Sequence, residues 1–245
     1  PNANDPNAND PTANDPDAAD ADKQPTDSAE PSDTVIRSPD RPVSRLPALS
    51  VIRGNLAPDG ALIKASSADS RLLSHRGPAL VFDGPADLAK RVDDPALAVD
   101  ADTVLILRGG GPIGAPGMPE WGNLPIPKQL LAAGLRDMLR ISDARMSGTH
   151  FGACILHVAP EAAAGGPLGL VRDGDMIAFD FTDRRLTIEV AEDELAQRRA
   201  ALPPRPAAPV RGYSALYARH VTQAPEGCDF DFLAGRGGVG EPEIF

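Results

Sequence analysis

Thr103-Val104-Leu105-Ile106-Leu107-Arg108 runs directly into Gly109-Gly110-Gly111-Pro112-Ile113-Gly114-Ala115-Pro116-Gly117-Met118-Pro119-Glu120. The first half is a continuous apolar run with β-branched residues, which predicts a buried strand. The second half is a long Gly/Pro loop, and such a loop inside a compact domain is more often functional than idle. It lacks the Gly-Lys-Ser/Thr ending of a phosphate loop and has no G-x-G-x-x-G opening a helix, so the case for a nucleotide site is weak.

Outward from this stretch the chain alternates short strands with short helices. On the N-terminal side, Val51–Asn55 predicts a strand, Asn55–Gly60 a turn, and Ala61–Lys64 a second strand. Ala79–Gly84 predicts a strand and its stop, and Asp87–Val92 a short helix opened by Gly84-Pro85. On the C-terminal side, Pro127–Ala133 predicts a helix with Pro127 in its first turn and Gly134 after it. Asp137–Ile141 and Gly152–Val158 predict further strands, and Met176–Phe181 with Arg185–Val190 the clearest hairpin. Helices are expected at Glu192–Ala200 and Tyr213–Val221, separated by a proline spacer from Pro203 to Pro209. Many short strands with few long helices predict a mixed α/β domain: a β-barrel-like sheet with helices around it.

Residues 1–33 stand apart. Pro1-Asn2-Ala3-Asn4-Asp5 recurs as Pro6-Asn7-Ala8-Asn9-Asp10 and, imperfectly, twice more. Leu, Ile, Val and Phe are absent before Val35, so the segment cannot bury enough apolar area to offset its ordering entropy. A disordered acidic repeat over 1–33 and a folded domain over 34–245 are the expected organisation.

The net charge of −11 disfavours non-specific binding to nucleic acid or to an anionic membrane, since both need a basic surface. No apolar run approaches the roughly 20 residues that span a bilayer. Cys154 and Cys228 are the only cysteines, too few and too far apart for a disulfide scaffold or a cluster site by themselves. The reducing cytoplasm is the expected compartment.

Polar residues concentrate between two predicted strands, in Ile141-Ser142-Asp143-Ala144-Arg145-Met146-Ser147-Gly148-Thr149. A Ser-His-Asp arrangement finds little support there, because the G-x-S-x-G elbow is missing. His150 and His157 read as packed or surface histidines.

Several of these segments, in this order, resemble the C-terminal domain of the dihydroxy-acid / 6-phosphogluconate / aldonate dehydratases. They are Gly54–Lys64, Gly114–Glu120, Ser142–Thr149, Ala159–Ala163 with Gly165–Pro167, and Val171–Asp175, and the likeness spans about Val35 to Gly237. Gly122–Pro127 and Gly227–Leu233 look more like the sugar-acid, arabinonate-type members than the branched-chain enzyme. The resemblance implies a hydro-lyase that converts a 2,3-dihydroxy acid to a 2-keto acid with Mg²⁺ and a [2Fe–2S] cluster. It implies that Ser147 is the base for the C2 proton, that Glu120 is a Mg²⁺ ligand, and that Thr149 and Arg145 contact substrate or hold the loop, with loop bracing favoured for Arg145. A free serine is too weak a base at neutral pH, so Ser147 serves only where its alkoxide is stabilised electrostatically. The family's cluster cysteines and other Mg²⁺ ligands belong to an N-terminal domain that nothing before Val35 resembles. The chain alone is therefore expected to be inactive, to need that domain as a partner, and to form a homo-oligomer when complete. The alternative is a stand-alone, non-catalytic ligand-binding or interaction domain derived from this family.

Overall fold

A computed structural model describes residues 37–120, 124–145, 151–204 and 209–233. The acidic repeat lies outside the described residues. The chain divides into two units at Arg45/Leu46. In the first, residues 37–45 are exposed and contain a turn in which the Arg41 N–H donates to the Ser38 carbonyl.

The second unit is built on strands β1 (Ser50–Gly54), β2 (Ala57–Ile63), β3 (Ser74–Asp83), β4 (Val104–Arg108), β5 (Arg140–Ser142), β6 (Cys154–Ala159), β7 (Met176–Asp180) and β8 (Arg185–Ile188). They close into a barrel in the order β1-β2-β6-β5-β4-β3-β7-β8. Helices α1 (Gly84–Arg91), α2 (Lys128–Ala132), α3 (Glu192–Ala200) and α4 (Gly212–His220) accompany it. The mixed α/β, barrel-like expectation therefore holds. No helix among the described residues is long and apolar enough to cross a membrane.

The continuous apolar run of β4 has a simple cause. Val104 and Ile106 enter one buried cluster with Ile52, Ile63, Ile141 and Ile177, which fills the barrel. The alternating Leu105 and Leu107 enter a second cluster with Phe82, Leu88, Leu124 and Met138, which packs the outer layer against the barrel wall. Period-two alternation thus delivers Val104 to Leu107 to one apolar environment or the other. β3 divides in the same way, Ala79 and Val81 inward, Leu80 and Phe82 outward.

Three sequence expectations shift. Pro58-Asp59-Gly60 lies inside β2, and the turn falls at Asn55-Leu56. Asn55 supplies the missing pairing there, donating to the Ile188 carbonyl at 3.0 Å and accepting from the Ile188 N–H at 2.9 Å. β3 begins at Ser74, before the expected Ala79, because residues 74–78 pair with β7 despite Gly77-Pro78. Asp137 does not enter β5; its carboxylate instead accepts N–H groups from Asp69, Met138 and Ala153.

Topology sets where a site can form. β3, β4, β5 and β6 run parallel, with Asp83 beside Arg108 and Leu107 beside Ser142. Their C-terminal ends therefore share one rim. The glycine loop, the Asp143–Arg145 segment and the Pro160–Gly166 segment all leave from it, the end of a parallel sheet where ligands usually bind.

Candidate active site

Glu120 and Arg145 meet at this rim. Arg145 Nη1 lies 3.1 Å from Glu120 Oε1, and the Arg145 Nε–H donates to the Met118 carbonyl. The two side chains are 44% and 48% exposed, so the pair sits where solvent or a ligand can reach it. Ser147 and Thr149 lie outside the described residues. What is described is their approach: the segment that leads to them is tied, two residues earlier, to the loop carrying Glu120.

A second ion pair holds the far ends of the same two segments. Arg140 and Asp137 are 3.1 Å apart and only 5% and 2% exposed. Arg140 also donates to the Leu124 carbonyl at 3.0 Å and to the Phe151 carbonyl at 2.9 Å. Asp137 accepts from the Ala153 N–H. One buried guanidinium thus holds both the Leu124 and the Phe151 backbone.

The glycine loop folds around two buried carboxylates. Asp143 accepts from the N–H groups of Gly109 at 3.1 Å, Gly110 at 2.8 Å and Ala162 at 2.9 Å. Glu161 accepts from Ile113 at 2.7 Å and Gly114 at 2.8 Å. The approach is close enough to require glycine: a Cβ on Gly110 would lie 2.5 Å from that of Ala144, and one on Gly111 2.5 Å from Glu161 Oε2. Four N–H groups of the loop thus point at the protein's own anions, which removes them as phosphate donors. Burial pushes the Asp143 carboxyl above its ordinary range; its three N–H donors oppose that shift and the nearby Glu161 charge adds to it.

From the other side the C-terminal segment reaches the loop. Gln223 Nε2 donates to Glu161 Oε1 at 2.8 Å, and Gln223 Oε1 accepts the Glu161 N–H at 3.0 Å. Neither Asp143, Glu161, Asp137, Arg140 nor Gln223 was singled out by the sequence reading. The available signal was a charged residue set at the end of an apolar strand, which desolvation forbids unless partners are supplied.

His157 is partly buried, with φ 54°, and lines a cavity of about 370 Å³ together with Arg53, Asp59 and Cys228. Burial first, then the charge of Arg145, hold its imidazole below the usual value. A larger cleft of about 760 Å³ opens beside Arg108, Gly109 and Gly165. Neither is lined by Glu120 or Arg145. His150 lies outside the described residues.

Glu120 presents a hard carboxylate oxygen at an accessible rim, which suits Mg²⁺. Among the described residues no group of three or more acidic, His or Cys side chains could hold a metal. The cysteines do not fit a cluster. Cys154 is buried in β6, where burial pushes its thiol up to about 12, and burial also raises half-buried Cys228. Cluster binding needs thiolates.

Comparison with known proteins matches this architecture to one class, the dehydratases that act on hydroxylated acids. The family model described as dihydroxy-acid/6-phosphogluconate dehydratase C-terminal matches residues 34–228. The chain belongs to this family and represents its C-terminal domain. It is 61% identical to a 6-deoxy-6-sulfo-D-gluconate dehydratase of Pseudomonas putida over 86% of its own length and 37% of that protein. It is 48% identical to an L-arabonate dehydratase of Azospirillum brasilense, over 86% and 37%. It is 39% identical to a dihydroxy-acid dehydratase of Archaeoglobus fulgidus, over 79% and 34%. The chain spans little more than a third of the length of these curated relatives.

Proposed function

We propose that this chain forms one wall of a hydro-lyase that converts a sugar acid, as a 2,3-dihydroxy acid, into a 2-keto acid. The observation that carries the reading is the ion pair between Glu120 and Arg145, which joins the loop bearing the metal-ligand candidate to the segment bearing Ser147. The sugar-acid preference rests on higher identity to the sulfogluconate and arabonate enzymes than to the dihydroxy-acid enzyme.

In this reading Ser147, as its alkoxide, removes the C2 proton while the C3 hydroxyl departs with its bonding pair and is protonated to water. The resulting enol tautomerises to the ketone. Glu120 would help to hold Mg²⁺, which would supply stabilisation of the negative charge that develops on the substrate. Thr149 orients substrate. Arg145 keeps the Glu120 loop against the base segment, and its accessible guanidinium is also free to turn toward the substrate carboxylate. No part of this chemistry is assigned to a cluster held by Cys154 or Cys228. The partner is the remaining dehydratase portion, expected to bring the other Mg²⁺ ligands and the [2Fe–2S] cluster, and this chain alone is expected to be inactive.

The test is a chimera in which residues 34–245 replace the matching segment of the Pseudomonas putida relative. With Mg²⁺ and a reconstituted cluster, 2-keto acid should form from a sugar acid, and none should form with this chain alone. Turnover by the isolated chain refutes the division of labour. Ligand binding by a folded, loaded chimera without turnover points instead to a non-catalytic domain.

A further inference from the structure

The mechanism above leaves unused two carboxylates that are almost fully buried, Asp143 at 1% and Glu161 at 1% exposure. Isolated buried carboxylates are costly, and they persist where hydrogen bonds and a structural demand offset that cost. Their hydrogen-bond donors are backbone N–H groups of the loop that ends at Glu120, together with the Ala162 N–H and the Gln223 amide. The two residues come from different strand ends, Asp143 just after β5 and Glu161 just after β6, so each links the loop to a separate part of the rim.

We propose that Asp143 and Glu161 are positioning residues for Glu120, and that Gln223 makes the C-terminal segment part of the same brace. Asp143 fixes the start of the loop at Gly109 and Gly110, and Glu161 fixes its middle at Ile113 and Gly114. The loop then turns through hydrogen bonds from Ala115 to Gly111 and from Met118 to Ala115, each 2.8 Å, before it reaches Glu120. Few backbone rotations are left to move the Glu120 carboxylate. Gln223 acts one step further out, since its amide takes a lone pair of Glu161 and fixes the rotamer of that side chain. The inference rests on the proposed role of Glu120 as a Mg²⁺ ligand.

Two measurements separate the brace from that role. Hydrogen–deuterium exchange on the full chain reads the brace without any metal. In E161Q one carboxylate oxygen becomes an NH₂ group facing backbone N–H groups. Exchange across 109–120 should rise by about tenfold or more, with β3 and β4 unchanged. Q223A, at a half-buried position, should give about a fivefold rise and guards against a folding failure of E161Q. Unchanged exchange in both variants overturns the brace. The second measurement is the Mg²⁺ concentration that half-saturates turnover in the chimera. It should rise by about tenfold in E161Q and less in Q223A, with KM for the sugar acid at saturating Mg²⁺ unchanged. A merely structural role would lower the yield of folded protein and leave half-saturation in place, and that result overturns the positioning role. If the unmodified chimera shows no Mg²⁺ response, the proposed function fails, and the exchange result still decides whether the loop is braced.

Discussion

Two arginine–carboxylate pairs at the candidate site stand in different settings. Arg140–Asp137 and Arg145–Glu120 are both arginine–carboxylate pairs at 3.1 Å, and both sit on the segments that frame the candidate site. The first is almost wholly buried, and it also makes hydrogen bonds to the backbone of Leu124, Phe151 and Ala153. The second is nearly half exposed. Removing one partner of a buried pair strands a desolvated charge, whereas an exposed pair adds little stability because water replaces either partner. One pair therefore sets the frame, and the other stands at the mouth in a form that a ligand can exchange.

The largest effect expected from breaking this comparison is at the buried pair. Asp137→Ala should lower unfolding free energy by about 3–5 kcal/mol, read by urea denaturation. Glu120→Gln should cost less than about 1 kcal/mol by the same measurement, yet raise the half-saturating Mg²⁺ concentration of the chimera by at least about tenfold. Equal stability losses for the two variants would remove the distinction between frame and mouth.

Two smaller effects sharpen it. The folded-state pKa of His157 is depressed, so the unfolded chain binds the proton more readily. Its contribution to stability is present above about pH 6.5 and is lost as pH falls toward the folded value. Arg145→Ala removes one of the two causes and should move the imidazole back toward its ordinary value in an NMR titration. A neutral replacement at Glu120 should not produce that upward shift. Last, Cys154 should resist thiol reagents at pH 8 in the folded chain, while half-buried Cys228 reacts slowly. Asp137→Ala should open Cys154 to modification through unfolding, and Glu120→Gln should not.

The elements that the sequence made legible are those whose information is local. The apolar run of β4, the hairpin of β7 and β8 and the polar-to-basic gradient of α3 each carry their own signal, and α3 falls at Glu192–Ala200 as expected. The shifted elements depend on distant partners. Residues 74–78 become strand because β7 lies beside them, and Asp137 leaves β5 because its carboxylate serves Asp69 and Ala153. The site divides in the same way. Glu120 and Arg145 were named from a family likeness carried by contiguous segments. Asp143 and Glu161 escaped notice because their meaning lies in N–H groups 33 to 48 residues away, which no local pattern records.

The central claim is that the loop ending at Glu120 and the segment containing Ser147 form one site. It is tested most directly by 2-keto acid formation in the chimera, comparing the unmodified protein with Glu120→Gln and Ser147→Ala, each shown to be folded by circular dichroism. Ser147→Ala should abolish measurable turnover, and Glu120→Gln should lower it about tenfold at the Mg²⁺ concentration that half-saturates the unmodified, active chimera. Full activity in either folded variant would contradict the account.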